Sequence, residues 1–412
     1  MSLFDEIHEQ PEVLRRLYTT QMEKVAGLAR EIKTWEPNYV FMAARGTSDN
    51  AGRYANYLLG AYNQLPLAMA TPSLFTYYQR PPKLNHALVV GISQSGQSPD
   101  IVSVLQEGRK QNCKTLAITN IAQSPLADQA DYVIDIQAGP EKAVAATKSY
   151  TAELMTIAML SVCLADDPQR MADLEKVPYW VAQTLELESY IEKIVQRFYY
   201  MNQCVVLGRG FNYSTAFEWS LKIKELSYVM AEPYSSADFL HGPIALVAKG
   251  FPVIAIVPDG SVSETLEDLL VHLRKDMQAE LMVISNRQDV LDLAQIPVKI
   301  PVGIPEWLTP IVGIIPGQLF AYHLTKLKGL NTETPRSIHK VTETQSHCWV
   351  LRFLRPKFED RLQPGEPHHL VAGIKPDKQK PHRVGFLSFG SSTRTRISSP
   401  ARERGTWRLK KP

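Results

Sequence analysis

A turn rich in hydroxyl groups, residues 93–98, is the strongest chemical signal in this sequence of 412 residues. It reads Ser-Gln-Ser-Gly-Gln-Ser and follows an apolar run at 87–92 that predicts a short buried strand. Ser98 and Pro99 then fit the N-cap and the first position of a helix. Hydroxyls and free backbone N–H groups at a helix N-terminus favour an anion, and phosphate is the anion we expect. The spacing is not that of a nucleotide P-loop, so a phosphorylated small molecule is predicted; a loop that only caps the helix is the alternative.

Three ionisable residues further along the chain could move protons. Glu218, Lys222 and Glu225 are spaced so that they share one face of a helix predicted at 214–230. Such a group is more often a solvated stripe of ion pairs. The neighbouring Phe217 and Trp219 favour a buried helix instead, and burial would perturb the pKa values of the three groups and suit them to acid–base work.

Two loops hold further candidates. His241 lies within a predicted loop at 235–243 that reads Ser-Ser-Ala-Asp-Phe-Leu-His-Gly-Pro. Histidine exchanges protons near neutral pH, although a lone histidine is usually structural. Lys340 lies near the end of the acidic part of the chain, where a lysine is normally solvated.

Alternating strands and helices must position these groups. Helices are predicted at 6–17 and 21–32, and a strand at 40–44 runs into Arg-Gly-Thr-Ser at 45–48. The alternation continues through the strand at 87–92, which predicts an α/β fold with a parallel, doubly wound sheet. Ligands of such sheets bind outside the carboxyl ends of the strands. The turns at 46–48 and 93–98 should therefore meet at one site.

The pattern then recurs. A strand at 204–207 enters Gly208-Arg209-Gly210, and Gly210 follows Gly46 by 164 residues. This predicts a duplicated α/β domain. The second copy has Asp259-Gly260 where the first has its serine turn. One copy should therefore hold the phosphate while the other supplies reactive groups.

These motifs together resemble the sugar-isomerase (SIS) family, in order and at family spacing, over about residues 5–345. The resemblance rests on Gly46-Thr47-Ser48, the turn at 93–98, the segment 144–148, Gly208-Arg209-Gly210, the 218/222/225 helix, His241-Gly242-Pro243 and Lys340. It implies two tandem doubly wound parallel-sheet SIS domains of the α/β class. It is closest to the isomerase half of the glutamine–fructose-6-phosphate aminotransferases and to the SIS-type glucosamine-6-phosphate deaminases, with no N-terminal glutaminase domain expected.

The resemblance also implies roles for individual residues. The family's phosphate-binding set is matched by Thr47, Ser48, Ser93, Gln94, Ser95 and Ser98. Backbone contacts to the sugar are matched by Val144 and Ala145. Glu225 resembles the base that moves a proton between C1 and C2, with Lys222 and Glu218 as supporting and sugar-contacting neighbours. No metal or cofactor is implied.

Two residues imply more about assembly and chemistry. His241 resembles the ring-opening residue, which in this family reaches in from the partner subunit, so a homodimer is implied. Lys340 resembles the lysine that forms an imine with the ketose. Arg45 stands where the aminotransferases tend to have cysteine, and Ala146 replaces a serine near the sugar. Both details resemble the deaminase branch.

The sequence therefore predicts an isomerase and deaminase that converts glucosamine 6-phosphate to fructose 6-phosphate and ammonia. One alternative is an isomerase subunit that makes glucosamine 6-phosphate with ammonia from a separate glutaminase. Another is a sugar-phosphate sensor without catalysis. Retention of Glu225, His241 and Lys340 favours an enzyme.

Composition supports a cytoplasmic protein without a membrane span. Hydrophobic residues make up 44% of the chain, the four cysteines include no C-x-x-C pair, and no apolar run reaches 18 residues. No signal peptide is predicted at the N-terminus.

The last part of the chain differs from the rest. Residues 346–412 hold 15 Lys and Arg against 5 Asp and Glu, whereas the preceding chain is net acidic. This composition predicts a disordered, appended tail, such as the product of a shifted reading frame. A nucleic-acid-binding arm is the rival, but no aromatic–basic platform accompanies the charge. The predicted organisation is a helical segment (1–25), two SIS domains (26–170 and 171–330), a catalytic segment (331–345) and the tail.

Overall fold

Two parallel sheets form the framework of the protein. The computed structural model describes residues 2–340. In this range two five-stranded sheets are present, and every pair of neighbouring strands is parallel. The strands are β1 (Tyr39–Ala43), β2 (Leu67–Met69), β3 (Ala87–Ile92), β4 (Lys114–Thr119), β5 (Tyr132–Asp135), β6 (Gln203–Gly208), β7 (Met230–Ser235), β8 (Pro252–Ile256), β9 (Glu280–Ser285) and β10 (Ile296–Lys299).

Helices surround and join the sheets. They are α1 (Leu3–His8), α2 (Gln10–Trp35), α3 (Thr47–Asn63), α4 (Ser73–Thr76), α5 (Pro99–Lys110), α6 (Pro125–Asp128), α7 (Lys148–Ala165), α8 (Pro168–Leu174), α9 (Val177–Leu185), α10 (Glu188–Ile194), α11 (Tyr213–Ser227), α12 (Ser236–Leu240), α13 (Ser263–Lys275), α14 (Gln288–Leu291) and α15 (Thr309–Leu327). Short 3-10 turns cover Val195–Phe198, Gly210–Asn212, Pro243–Leu246 and Glu306–Leu308. None of the helices between residues 2 and 340 is long and apolar enough to cross a membrane.

The two sheets have the same topology, which confirms the predicted tandem fold. The first has the order β2-β1-β3-β4-β5, and the second has the order β7-β6-β8-β9-β10 when read from the corresponding edge. In each sheet, the first and third strands of the copy lie side by side, and the strand order runs in opposite directions on the two sides of that pair. This reversal is the topological switch point, where α/β sheets bind their ligands.

The central strands are buried on both faces, which explains their continuous apolar sequences. All six residues of β3 are buried. Helices cover both sides of a parallel sheet, so its inner strands need apolar side chains at every position. Helix α7 is buried on nearly all sides, so it is apolar as well. It packs against α2 and α3. Helix α11 of the second copy also packs against α3 of the first, so one hydrophobic core continues across both copies.

Two predicted element boundaries are wrong. The chain breaks at Glu9 and not at residues 18–20, so α2 is continuous. Thr19 and Thr20 fit within it because their hydroxyls donate to the carbonyl of Arg16, at 3.1 and 2.8 Å. The helix predicted at 214–230 ends earlier, because Tyr228 adopts a left-handed conformation with φ of 57°.

The segment after that helix is also more regular than predicted. Residues 230–235 form β7, an edge strand that contains Pro233. Proline is tolerated in a sheet at such an edge, because a residue there can lack a backbone N–H without breaking a hydrogen bond to a neighbouring strand. The short helix α12 follows and leads directly into His241. Residues 346–412, predicted to be disordered, lie outside the residues that the structure describes.

Candidate active site

A cavity of about 310 Å³ lies at the switch point of the first sheet. The turns that follow β1 and β3 form one side of it, and the segment before α7, together with residues 338–340, closes the other. The six residues predicted to bind phosphate all line the cavity: Thr47, Ser48, Ser93, Gln94, Ser95 and Ser98. Val144, Glu225 and Lys340 line it as well. Ala145 is buried but is not among the lining residues.

The serine turn presents hydroxyl protons to this cavity. The Ser93 Oγ accepts the N–H of Gly96 at 3.1 Å, and the Ser95 Oγ accepts the N–H of Gln97 at 3.3 Å. Each hydroxyl has thus used a lone pair on its own loop and keeps its proton for an acceptor in the cavity. Ser98 stands at the N-cap of α5, as predicted, but its side chain makes no capping bond. The turn is therefore arranged to donate to an oxyanion.

Two helix N-termini reinforce this preference for negative charge. Helix α3 begins at Thr47 and α5 begins at Pro99, and both starts adjoin the cavity. The N-terminal end of a helix carries partial positive charge. Arg45 adds a full positive charge beside the cavity, where its Nη2 donates to the buried carboxylate of Asp100 at 2.8 Å.

Glu218, Lys222 and Glu225 form a buried cluster and not a solvated stripe. The Lys222 Nζ lies 2.6 Å from Glu225 Oε2 and 3.3 Å from Glu218 Oε1. The side chains of Glu218 and Lys222 are sealed from solvent, whereas that of Glu225 is 25% exposed and reaches the cavity. Of the two carboxylates beside Lys222, Glu225 is the one that can reach a ligand.

Hydrogen bonds join this cluster to the start of α3. The Thr47 hydroxyl donates to Glu218 Oε1 at 3.1 Å and accepts from Lys222 Nζ at 3.2 Å. The Asn50 amide donates to Glu218 Oε2 at 2.7 Å. The site is consequently assembled from both copies of the fold, with hydroxyls from the first held against ionisable groups from the second.

Burial and charge pairing shift the pKa values of this cluster. Burial raises the pKa of Glu218, and the adjacent Lys222 offsets only part of that effect. Burial alone would lower the pKa of Lys222, but the two carboxylates beside it outweigh burial and raise that pKa. Lys222 is therefore a fixed positive charge next to Glu225.

Lys340 is held by a carboxylate that sequence reasoning did not single out. Its Nζ donates to the Oε2 of Glu141 at 2.7 Å. Glu141 is buried and also accepts the backbone N–H groups of Thr147 and Ser149, at 3.0 and 3.1 Å. Burial would raise the pKa of Glu141, but Lys340 and these donors outweigh it, and the pKa is lowered. Glu141 thus fixes the Lys340 amine at the cavity as one half of an ion pair.

His241 is the predicted catalytic residue that one chain does not bring to the cavity. It is exposed at the end of α12 and is not among the lining residues. Its neighbours Leu240 and Leu246 are about half exposed, at 54% and 52%. The prediction that His241 acts in a partner subunit stays a prediction.

A buried carboxyl on α7, Glu153, also lines the cavity and was missed. Its Oε1 accepts the Ser48 hydroxyl at 2.9 Å. The sequence did contain a signal for it. Glu153 is the one charged residue between Lys148 and Asp166, within an otherwise apolar helix. A charge buried without a structural partner is costly, so such an isolated carboxyl points to a functional role.

At the second switch point, a carboxylate side chain accepts a hydrogen bond from the turn. The Oε2 of Glu306 accepts the N–H of Ser261 at 2.8 Å, just after the turn at Gly260. The contact is tight, because a Cβ added at Gly260 would lie 2.3 Å from the Glu306 Cδ. In the second copy, a carboxylate of the chain itself thus occupies the position that corresponds to the serine turn.

Fold and site together define, over residues 2–340, a duplicated α/β protein with a cavity between its copies that is lined by hydroxyl groups and helix N-termini. The SIS domain model matches residues 35–163 and 198–327, one segment in each copy. The chain belongs to the SIS domain family, and the predicted resemblance is confirmed.

Known proteins support the same assignment. The chain is 31% identical over 345 residues to a glutamine–fructose-6-phosphate aminotransferase (isomerizing) of Pyrococcus horikoshii, covering 82% of this chain and 57% of that relative. The C-terminal domain of a Francisella tularensis glucosamine-fructose-6-phosphate aminotransferase matches with 29% identity and a TM-score of 0.74, over 81% of this chain and 98% of that domain. A glucosamine-6-phosphate deaminase of Thermotoga maritima shares the fold at 20% identity and a TM-score of 0.69, over 83% and 100% of the two chains.

Proposed function

We propose that this protein is an isomerase of phosphorylated amino sugars that makes glucosamine 6-phosphate from fructose 6-phosphate and ammonia. The observation that carries the proposal is the meeting of three kinds of group at one cavity: hydroxyl donors at the serine turn, the Glu225 carboxylate and the Lys340 amine. This is the minimum set for holding a phosphate, moving a proton and binding a carbonyl carbon.

The direction of the reaction differs from the one that the sequence favoured. The relatives matched over most of this chain are named aminotransferases, which supports synthesis of the amino sugar. The chain spans 57% of the Pyrococcus relative, so the transfer of nitrogen from glutamine is not carried over with that name. Ammonia is the nitrogen donor in our proposal.

The residues of the cavity would divide the work. The hydroxyls of the serine turn and of Ser48 bind the phosphate. Thr47, whose hydroxyl proton goes to Glu218, contributes through the N-terminal end of α3. The Lys340 amine attacks C2 of the open ketose, water leaves and an imine forms; ammonia then replaces the lysine at C2 and frees the amine. Glu225 takes a proton from C1 and returns it to C2, while the proton of the C1 hydroxyl passes to the nitrogen on C2, which yields the amino aldose. Lys340 attacks as the neutral amine, so the proton of its ammonium form passes to solvent water before the attack.

Two further residues support the proton transfer. Lys222 is a fixed positive charge that holds one oxygen of Glu225 in an ion pair at 2.6 Å. His241 would open the sugar ring from a partner subunit, and a homodimer is part of the proposal. The exposed Leu240 and Leu246 beside it fit burial at such an interface.

Deamination in the opposite direction is the second candidate. Arg45 and Ala146, the two positions that resemble the deaminase branch, both line the cavity. Arg45 lies at the rim of the cavity, where it forms an ion pair with Asp100 at 2.8 Å. One set of catalytic groups serves both directions, so relative rates decide which reaction predominates.

The test is to incubate the purified full-length protein with fructose 6-phosphate and ammonium and to quantify glucosamine 6-phosphate. A parallel reaction with glucosamine 6-phosphate follows ammonia release. Unphosphorylated fructose and the Glu225→Gln variant serve as controls. Faster synthesis at matched substrate concentrations supports the proposal, and faster ammonia release favours the deaminase. Binding of both sugar phosphates without turnover would contradict both and indicate a sensor.

A further inference from the structure

Glu153 is a buried carboxyl that the proposed reaction does not use. It lies on α7, is 1% exposed and faces the cavity. One of its oxygens, Oε1, accepts the Ser48 hydroxyl at 2.9 Å. The other, Oε2, is buried and has no hydrogen-bond partner among residues 2–340. Buried polar atoms are nearly always partnered, so this arrangement calls for a functional explanation.

The charges around Glu153 favour its neutral form. The charged groups that act on it are Glu141 near the start of α7, Lys340 and Glu218 of α11, and Tyr150 lies on its own helix. Burial raises the pKa of Glu153 to about 8; the Ser48 hydrogen bond and Lys340 oppose this rise, and the other two carboxyls add to it. Near neutral pH the group is therefore mostly a carboxylic acid.

The protonation state of Glu153 decides what Ser48 can offer to a ligand. A carboxylate only accepts hydrogen bonds, so an ionised Glu153 takes the single hydroxyl proton of Ser48. A carboxylic acid can instead donate its own proton to the Ser48 Oγ, which leaves the serine proton free to turn into the cavity. A phosphate dianion has only acceptors. Ser48 can thus donate to a phosphate while Glu153 is protonated, and cannot while Glu153 is ionised.

We propose that Glu153 is a positioning residue that, in its protonated form, directs the Ser48 hydroxyl to the phosphate of the substrate. The inference rests on the proposed phosphate site and identifies a residue that controls one of the hydrogen-bond donors of that site. It requires no contact between Glu153 and the reacting carbons.

The test is calorimetric binding of glucitol 6-phosphate, which has the phosphate but no carbonyl and cannot react. Between about pH 7 and about pH 9.5 its phosphate stays dianionic, because the second pKa of a phosphate ester is about 6. A hydrogen bond to a charged group that is lost corresponds to about tenfold or more in affinity. The wild-type protein should therefore bind the ligand about tenfold more weakly at the upper pH.

Variants distinguish the proposed action of Glu153 on Ser48 from a direct effect of the Glu153 charge on ligand binding. Glu153→Gln keeps a donor for Ser48 but cannot ionise, so its affinity should stay near the wild-type value at about pH 7 and lose the pH dependence. Ser48→Ala should bind weakly at both pH values, also without the dependence. Thr156→Val, on the same helix and outside the cavity lining, is the matched control and should behave like the wild type.

Three outcomes would overturn the inference. Affinity of the wild-type protein that does not change with pH contradicts it while leaving the phosphate site intact. A pH dependence that persists in Ser48→Ala would show simple repulsion by ionised Glu153, without the serine. No binding of glucitol 6-phosphate at either pH, while fructose without phosphate binds, would overturn both the proposed site and this inference.

Discussion

At the scale of single residues, the surroundings of Glu218 and Glu225 separate two carboxyls that helical spacing alone presents as equivalents. Both lie beside Lys222, yet Glu218 is sealed and already hydrogen-bonded to Thr47 and Asn50. Glu225 has one ion pair and opens to the cavity. A general base must reach its proton, so the geometry favours Glu225 for this role.

Glu225→Gln should lower turnover by about 10²–10⁴-fold, the range for loss of a general base. The amide retains the size and the hydrogen-bonding capacity of the carboxylate, so binding of fructose 6-phosphate should survive. Steady-state kinetics and calorimetry measure the two effects separately. Lys224→Gln, an exposed change on the same helix, is the control. Turnover of Glu225→Gln near the wild-type rate would exclude the assigned role.

The serines of the turn should contribute affinity and little to folding. Each hydrogen bond lost to a charged phosphate costs about 1.5–3 kcal/mol, so Ser95→Ala combined with Ser98→Ala should weaken the binding of fructose 6-phosphate by about a hundredfold or more. The melting temperature should change little, because neither hydroxyl donates to a protein partner between residues 2 and 340. Ser103→Ala, on α5 outside the cavity, is the matched control. Unchanged affinity would place the phosphate elsewhere.

At the scale of elements, the serine turn depends on close packing against the start of α6. Gly96 has a φ of +62°, and a Cβ added there would lie 2.1 Å from the Oγ of Ser124, the N-cap of α6. A side chain at this position would strain the backbone and collide with the cap.

Gly96→Ala should therefore lower both the melting temperature and the affinity for fructose 6-phosphate. Combining it with Ser124→Gly removes the atoms in collision and should restore part of both losses, leaving the backbone strain of about 1–2 kcal/mol. Gly60→Ala is the control, since Gly60 lies in α3 with nothing within 4 Å of an added Cβ. If Gly96→Ala is as stable as the wild type, the turn is more plastic than its packing indicates.

The sequence identified the elements whose burial is uniform and missed those whose burial is mixed. The strand β3 was predicted with its observed bounds, because six apolar residues end abruptly at a turn. The edge strands β2 and β7 were missed, since they are partly exposed and β7 contains Pro233. Residues that share a helix, such as Glu218 and Lys222, could be paired from spacing alone.

Contacts across the fold could not be predicted in this way. Glu153 and Ser48 are 105 positions apart, and Lys340 and Glu141 are 199 apart. No periodicity links them, and they meet because parallel strands direct their carboxyl ends to one edge. The resemblance to a family supplied Lys340 but not its carboxylate partner.

At the scale of the whole molecule, buried carboxyls should make stability fall as the pH rises. The pKa of Glu153 is raised from 4.5 to about 8 in the folded protein. Between these two values the folded state keeps a proton that the unfolded chain has lost. The free energy of unfolding should therefore decrease with rising pH, by up to about 1.4 kcal/mol per pH unit for one such group.

Glu153→Gln removes this contribution. Its free energy of unfolding, measured with urea between about pH 5 and about pH 8, should fall less steeply than that of the wild type. Glu23→Gln, an exposed change on α2, should leave the slope unaltered. Parallel slopes for Glu153→Gln and the wild type would mean that Glu153 is ionised in the folded protein at neutral pH.

The Glu306 carboxylate at the second switch point has a consequence for stoichiometry. A duplicated domain could offer two equivalent sites, but the Glu306 carboxylate already accepts the N–H of Ser261 where the second copy would receive an anion. A fixed negative charge there also repels phosphate. Saturation of the protein should accordingly require one molecule of sugar phosphate per chain. Native mass spectrometry can count the bound molecules, and two per chain would show that Glu306 yields its place to the ligand.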